Sequence, residues 1–80
     1  MNAQQENLME ELANRDFVFI EETDAILYEK DTREGTESVT IFRDDSALHE
    51  RWNKNGMLVS TNRYKTSSNA EMNRLLIACR

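Results

Sequence analysis

The apolar positions Leu8, Met9, Leu12 and Ala13 recur at helical spacing behind an Asn2/Gln5 capping signature, which predicts a first helix over residues 3–14. Phe17-Val18-Phe19-Ile20 is short, aromatic and β-branched, the composition of a strand, and Glu21-Glu22-Thr23-Asp24 reads as a polar turn. Ala25 to Glu29 predicts a second strand. Asp31 to Thr36 then predicts a hairpin connection with Gly35 at positive φ, and Val39 to Phe42 a third strand. Asp44, Asp45 or Ser46 caps a predicted second helix bearing Ala47, Leu48 and Trp52, which Asn55-Gly56 terminates. Met57-Leu58-Val59 suits a short fourth strand, and Ser60 to Ser67 a loop or its extension. Ser68 and Glu71 match Ser-x-x-Glu, followed by Met72, Leu75, Leu76 and Cys79 on one stripe of a last helix.

This order, α-β-β-β-α-(β)-α, predicts a single α+β domain over residues 1–80: a small antiparallel three- to four-stranded meander packed with three helices. Strand one is apolar on both faces, so part of the sheet needs a cover beyond the helices, and a second copy of the chain in a homodimer is one such cover. Trp52, four residues from Leu48, is expected to pack in the core.

At 80 residues the chain has room for one core, and a deep enclosed substrate cavity is hard to accommodate. The longest apolar runs, Phe17–Ile20 and Leu75–Cys79, fall far short of the ~20 residues of a bilayer span. Residues 1–6 show neither a basic start nor a following apolar stretch, so the expectation is a cytoplasmic protein without an export leader or a membrane partner. The lone Cys79 forms no intrachain disulfide and is expected to be a buried structural thiol.

Charge changes the picture. Residues 1–50 carry fourteen acids against Arg15, Lys30, Arg33 and Arg43, whereas residues 51–80 carry Glu71 alone against six bases. The acids Glu21, Glu22, Asp24, Asp31, Glu34, Glu37, Asp44 and Asp45 fall in the turns and ends of the expected sheet. They read either as a solvated surface or as an array that recognises a basic protein partner.

Catalytic apparatus is thin. His49 is the sole histidine, expected on a solvated helix face, and no nucleophile elbow or phosphate-cradling glycine pattern occurs. Asp45 and His49, at i and i+4 of the expected helix, are the residues around which a small metal-dependent enzyme would be built; two or three ligands do not make a site. No catalytic residue, metal ligand set or cofactor is therefore assigned.

The αβββα order over residues 3–55 is similar to that of the double-stranded-RNA-binding domain, a resemblance that would imply nucleic-acid contact at the start of the closing helix. Asp44-Asp45-Ser46-Ala47 stands there with the charge that repels phosphate. The other nucleic-acid surface is Arg63-Tyr64-Lys65, a basic pair flanking an aromatic. In size and acidity the chain resembles small inhibitor proteins encoded by bacteriophages, including some anti-CRISPR proteins of helix-then-meander order, which implies a regulatory or inhibitory protein-binding module. The expected function is thus non-catalytic binding of a basic protein surface through acidic loops, with nucleic-acid association through the basic C-terminal third as the alternative.

Overall fold

The structure, a computed structural model, describes residues 2–80. Helix α1 (Ala3–Asn14) leads into five strands, β1 (Val18–Glu22), β2 (Ala25–Thr32), β3 (Gly35–Phe42), β4 (Ser46–Asn53) and β5 (Leu58–Lys65), and helix α2 (Asn69–Ala78) closes the fold. Every strand pairs antiparallel with its sequence neighbours, so the sheet is an open meander in the order β1-β2-β3-β4-β5. The α+β class and the antiparallel meander agree with the sequence reading; the element count differs, with five strands and two helices.

The correction lies at residues 46–53, expected as a helix and folded as β4. Asp44-Asp45-Ser46 can cap a helix or turn a hairpin, and here Asp45 takes φ 62°, a left-handed conformation that Asp tolerates. Asn55-Gly56 is correspondingly the tip of the β4–β5 hairpin, with Gly56 at φ 79°. The helix formers Ala47, Leu48, Glu50 and Arg51 are held extended because β3 and β5 pair on both sides, a tertiary override of local preference. The order shared with the double-stranded-RNA-binding domain therefore ends at β3. Ser60–Lys65, expected as a loop or extension, is the body of β5.

Both helix starts follow their sequence signatures. Asn2 accepts from the Gln5 N–H at 2.8 Å while its own N–H reaches Gln5 Oε1 at 3.4 Å, the reciprocal capping box. Ser68 accepts from the Glu71 N–H at 3.2 Å, but the Glu71 carboxylate turns away to the Lys65 N–H at 2.9 Å.

One face of the sheet lies under the helices. Leu8 and Leu12 of α1, Phe17, Ile26, Val39, Ile41 and Ala47 of the strands, and Met72, Leu75 and Cys79 at α2 form one buried cluster. Each fully buried leucine contributes roughly 1.5–3 kcal/mol of apolar transfer. Gln5, itself buried, donates to the Phe42 carbonyl at 2.9 Å and the Thr66 hydroxyl at 3.2 Å, tying α1 to the end of the sheet. At the other end Lys30 donates to the Arg15 carbonyl at 3.1 Å and the Cys79 carbonyl at 3.2 Å, so one β2 side chain holds the C-termini of both helices.

No helix among the described residues covers the opposite face. Cross-strand register places Glu21, Leu27, Thr40, Leu48 and Arg63 in one row there, and Val18, Glu29, Ser38, Glu50 and Thr61 in the next. Trp52 lies on this face beside Thr36, half-buried, rather than in the helix-covered core where it was expected. Among the described residues no helix is long and apolar enough to cross a membrane.

Candidate interaction surface

An antiparallel meander sends its odd-numbered turns to one end and its even-numbered turns to the other, and this divides the acidic residues named above. The β1–β2 and β3–β4 turns share an end, where they bring Glu21, Glu22, Asp24, Asp44 and Asp45. Glu22, Asp24 and Asp45 line a cleft of about 470 Å³ with Ala25, Phe42 and, among the described residues, one base, Arg43. Asp31 and Glu34 lie at the far end, where Arg33, Lys54, Arg51 and Arg80 stand among them. Charge there is interleaved.

Glu37 requires a correction. It is 5% exposed and points under the helices, where its carboxylate meets His49 Nε2 at 2.7 Å. It belongs to no surface array. His49, expected in solvent, is equally buried, because β4 directs it to the same side as Ala47. The Asp45–His49 pairing dissolves with the helix that placed it: Asp45 sits in an exposed turn and accepts from Asn2 Nδ2 at 2.8 Å. The metal-ligating side chains that do meet among the described residues are Glu37, His49 and Cys79, one donor atom from each within 4.8 Å of the others.

Charge is also segregated across the strands. From Asp16 to Asp31, spanning β1 and β2, stand six acids (Asp16, Glu21, Glu22, Asp24, Glu29, Asp31) against Lys30. From Ser46 to Lys65, spanning β4 and β5, Glu50 stands against Arg51, Lys54, Arg63 and Lys65. Charge pairs within 4.0 Å among the described residues are Arg15–Glu11 and His49–Glu37, so the acids of the β1–β2 hairpin meet no cation directly.

Strand β1 is an unpaired edge. Val18, Phe19 and Ile20 are each about half exposed or more, and Ile20 is the extra residue of a β-bulge opposite β2. An open backbone edge, exposed apolar side chains and flanking carboxylates therefore coincide on a single hairpin.

Arg63, Tyr64 and Lys65 do not share a face, since adjacent strand residues point to opposite sides. The Arg63 guanidinium lies 5.1 Å from the centroid of the Phe42 ring and donates to Ser46 Oγ at 3.0 Å on the open side. Tyr64 packs against the core on the helix side. Sequence reasoning missed the β1 edge because it placed Glu21 and Glu22 in a turn instead of along the strand. The signal was the apolar run followed directly by the two glutamates.

No family model, curated protein or solved structure matches the chain.

Proposed function

We propose that the protein is a non-catalytic binding module that engages a basic protein partner along the β1–β2 edge, in a regulatory or inhibitory role. The coincidence of an unpaired edge strand, exposed Val18-Phe19-Ile20, and Glu21, Glu22 and Asp24 that pair with no cation among the described residues carries this reading. An extended basic segment adding to β1 gains main-chain hydrogen bonds, covers apolar side chains and brings its cations to the carboxylates. The cleft beside Glu22, Asp24 and Asp45 suits a lysine or arginine, with apolar walls for the stem and carboxylates for the head. Long-range attraction also speeds encounter with such a partner at low salt. A cytoplasmic setting agrees with the lone buried cysteine.

The experiment is a titration with a synthetic peptide of alternating lysine and valine, followed by amide chemical shifts. The reading predicts shifts confined to β1–β2 that weaken with salt and vanish in Glu21→Lys/Glu22→Lys/Asp24→Lys. Shifts confined to β4–β5 contradict it. Preferential binding of single-stranded oligonucleotide at Arg63 and Lys65 would instead favour nucleic-acid association.

A further inference from the structure

Beneath the C-terminal end of α2, three metal-ligating side chains from three distant parts of the chain meet in the protein interior. Glu37 comes from β3, His49 from β4 and Cys79 from the C-cap of α2, and the three are 5%, 2% and 0% exposed. A carboxylate oxygen, an imidazole nitrogen and the thiol sulfur lie within 4.8 Å of one another. His49 Nδ1 is buried with no hydrogen-bond partner, the one orphaned buried side-chain polar atom among the described residues. A buried polar cluster with an unsatisfied ring nitrogen is costly where apolar residues would pack at no such cost.

We propose that Glu37, His49 and Cys79 form a binding site for a divalent metal ion of the zinc class. An oxygen, a nitrogen and a sulfur donor together suit Zn²⁺, whose tetrahedral bonds of about 2.0–2.3 Å set neighbouring donor atoms about 3.3–3.6 Å apart. The observed donors bracket that spacing: His49 Nε2 and Glu37 Oε2 are closer, at 2.7 Å, and the full set fits within 4.8 Å. Small side-chain shifts therefore seat the ion, and a water completes the tetrahedron.

Charge balance favours an occupied interior site. A divalent ion with one thiolate, one carboxylate and a neutral imidazole sums to zero, the condition under which buried charge is tolerated. The surrounding cations do not compete for the carboxylate: Lys30 is bonded to two backbone carbonyls, and Arg51 is solvent-exposed. Binding through Nε2 requires the neutral ring to carry its proton on Nδ1, so the Nε2–H hydrogen bond to the Glu37 carboxylate is exchanged for a metal–nitrogen bond. On binding, the Cys79 S–H bond breaks, a metal–sulfur bond forms, and the proton leaves to solvent. Without metal the thiol is firmly protonated, pushed up to about 12 by burial and by the Glu37 carboxylate, against the pull of Lys30, Arg15 and Arg51.

Because the donors are sealed, the ion loads as the chain folds. The test is to refold the protein from denaturant with one equivalent of Co²⁺ or Zn²⁺, remove unbound ion and read metal content, ultraviolet absorption and proton release. The expected result is one ion retained per chain, one proton released, and a thiolate-to-cobalt charge-transfer band. Cys79 is the sole cysteine, so the band reports this sulfur alone. Cys79→Ala should abolish the band, and Glu37→Gln should weaken binding at least tenfold, each variant being checked for native circular dichroism. If a variant fails to fold, the wild-type band decides. Co²⁺-refolded wild type without the band, or with metal retained equally by folded Cys79→Ala, overturns the site.

Discussion

The helix-covered side of the sheet and its β1 edge use the same residue types in opposite circumstances. Under the helices, Val39 and Ile41 are sealed and the carboxylate of Glu37 is held by His49. On β1, Val18 and Ile20 face solvent, and Glu21 and Glu22 have no cation within pairing distance among the described residues. The difference teaches that acid count and apolar content say little about recognition until each residue has been assigned a side of the sheet. Interior substitutions should therefore change stability, and edge substitutions should change binding.

The largest effect is expected where the interior register depends on a single backbone. Gly35 has φ 148°, and a Cβ there would lie 1.9 Å from the Trp52 carbonyl oxygen of β4. Gly35→Ala should cost about 3 kcal/mol or more in urea unfolding. Gly56→Ala, with open space around it at φ 79°, should cost only about 1 kcal/mol, from backbone strain. Equal costs would show that the β3–β4 contact is not tight.

Leu75→Ala, at a fully buried position of α2, should cost about 3 kcal/mol, whereas Ile20→Ala on the edge should change stability by less than about 0.5 kcal/mol. A comparable loss at both positions would mean that β1 is covered in solution, and light scattering would show whether a second copy covers it.

Alkaline pH sharpens the contrast from inside the metal-free protein. The folded Cys79 thiol titrates at about 12 against 9.0 for a free thiol, so the unfolded chain releases its proton first. Stability conferred by the protonated thiol is intact below pH 9 and falls as pH rises toward 12. Between pH 8 and 10 the wild type should lose more stability than Cys79→Ala, on the order of 1 kcal/mol. An identical pH profile for the two proteins would place the thiol in contact with water.

How much of this was legible in the sequence follows from how local each signal is. Both helices were readable because Asn2/Gln5 and Ser68 announce them within one turn. Gly35 was readable because Asp31 to Thr36 is dense in turn residues. Residues 46–53 were not, since their helix formers and the Asp44-Asp45 pair suit a cap as well as a hairpin. The alternation of Ala47 and His49 with Leu48 and Glu50 was the competing strand signal, and only pairing with β3 and β5 decides between them. Misplacing that segment put His49 in solvent and hid its meeting with Glu37 and Cys79. The acidic array was legible as composition, but its division between the two ends of the meander follows from topology.

The smallest expected change in stability accompanies the most direct test. Glu21→Lys/Glu22→Lys/Asp24→Lys and Arg63→Glu/Lys65→Glu should both stay near wild-type stability, within about 1 kcal/mol, because all five positions are exposed. Immobilised wild type and both variants, exposed to nuclease-treated host extract and eluted with rising salt, separate the two edges. The account predicts that a basic protein is held by the wild type and by the Arg63/Lys65 variant, is released by salt, and is lost from the Glu21/Glu22/Asp24 variant. Undiminished capture by that last variant, or capture abolished by nuclease, would contradict it.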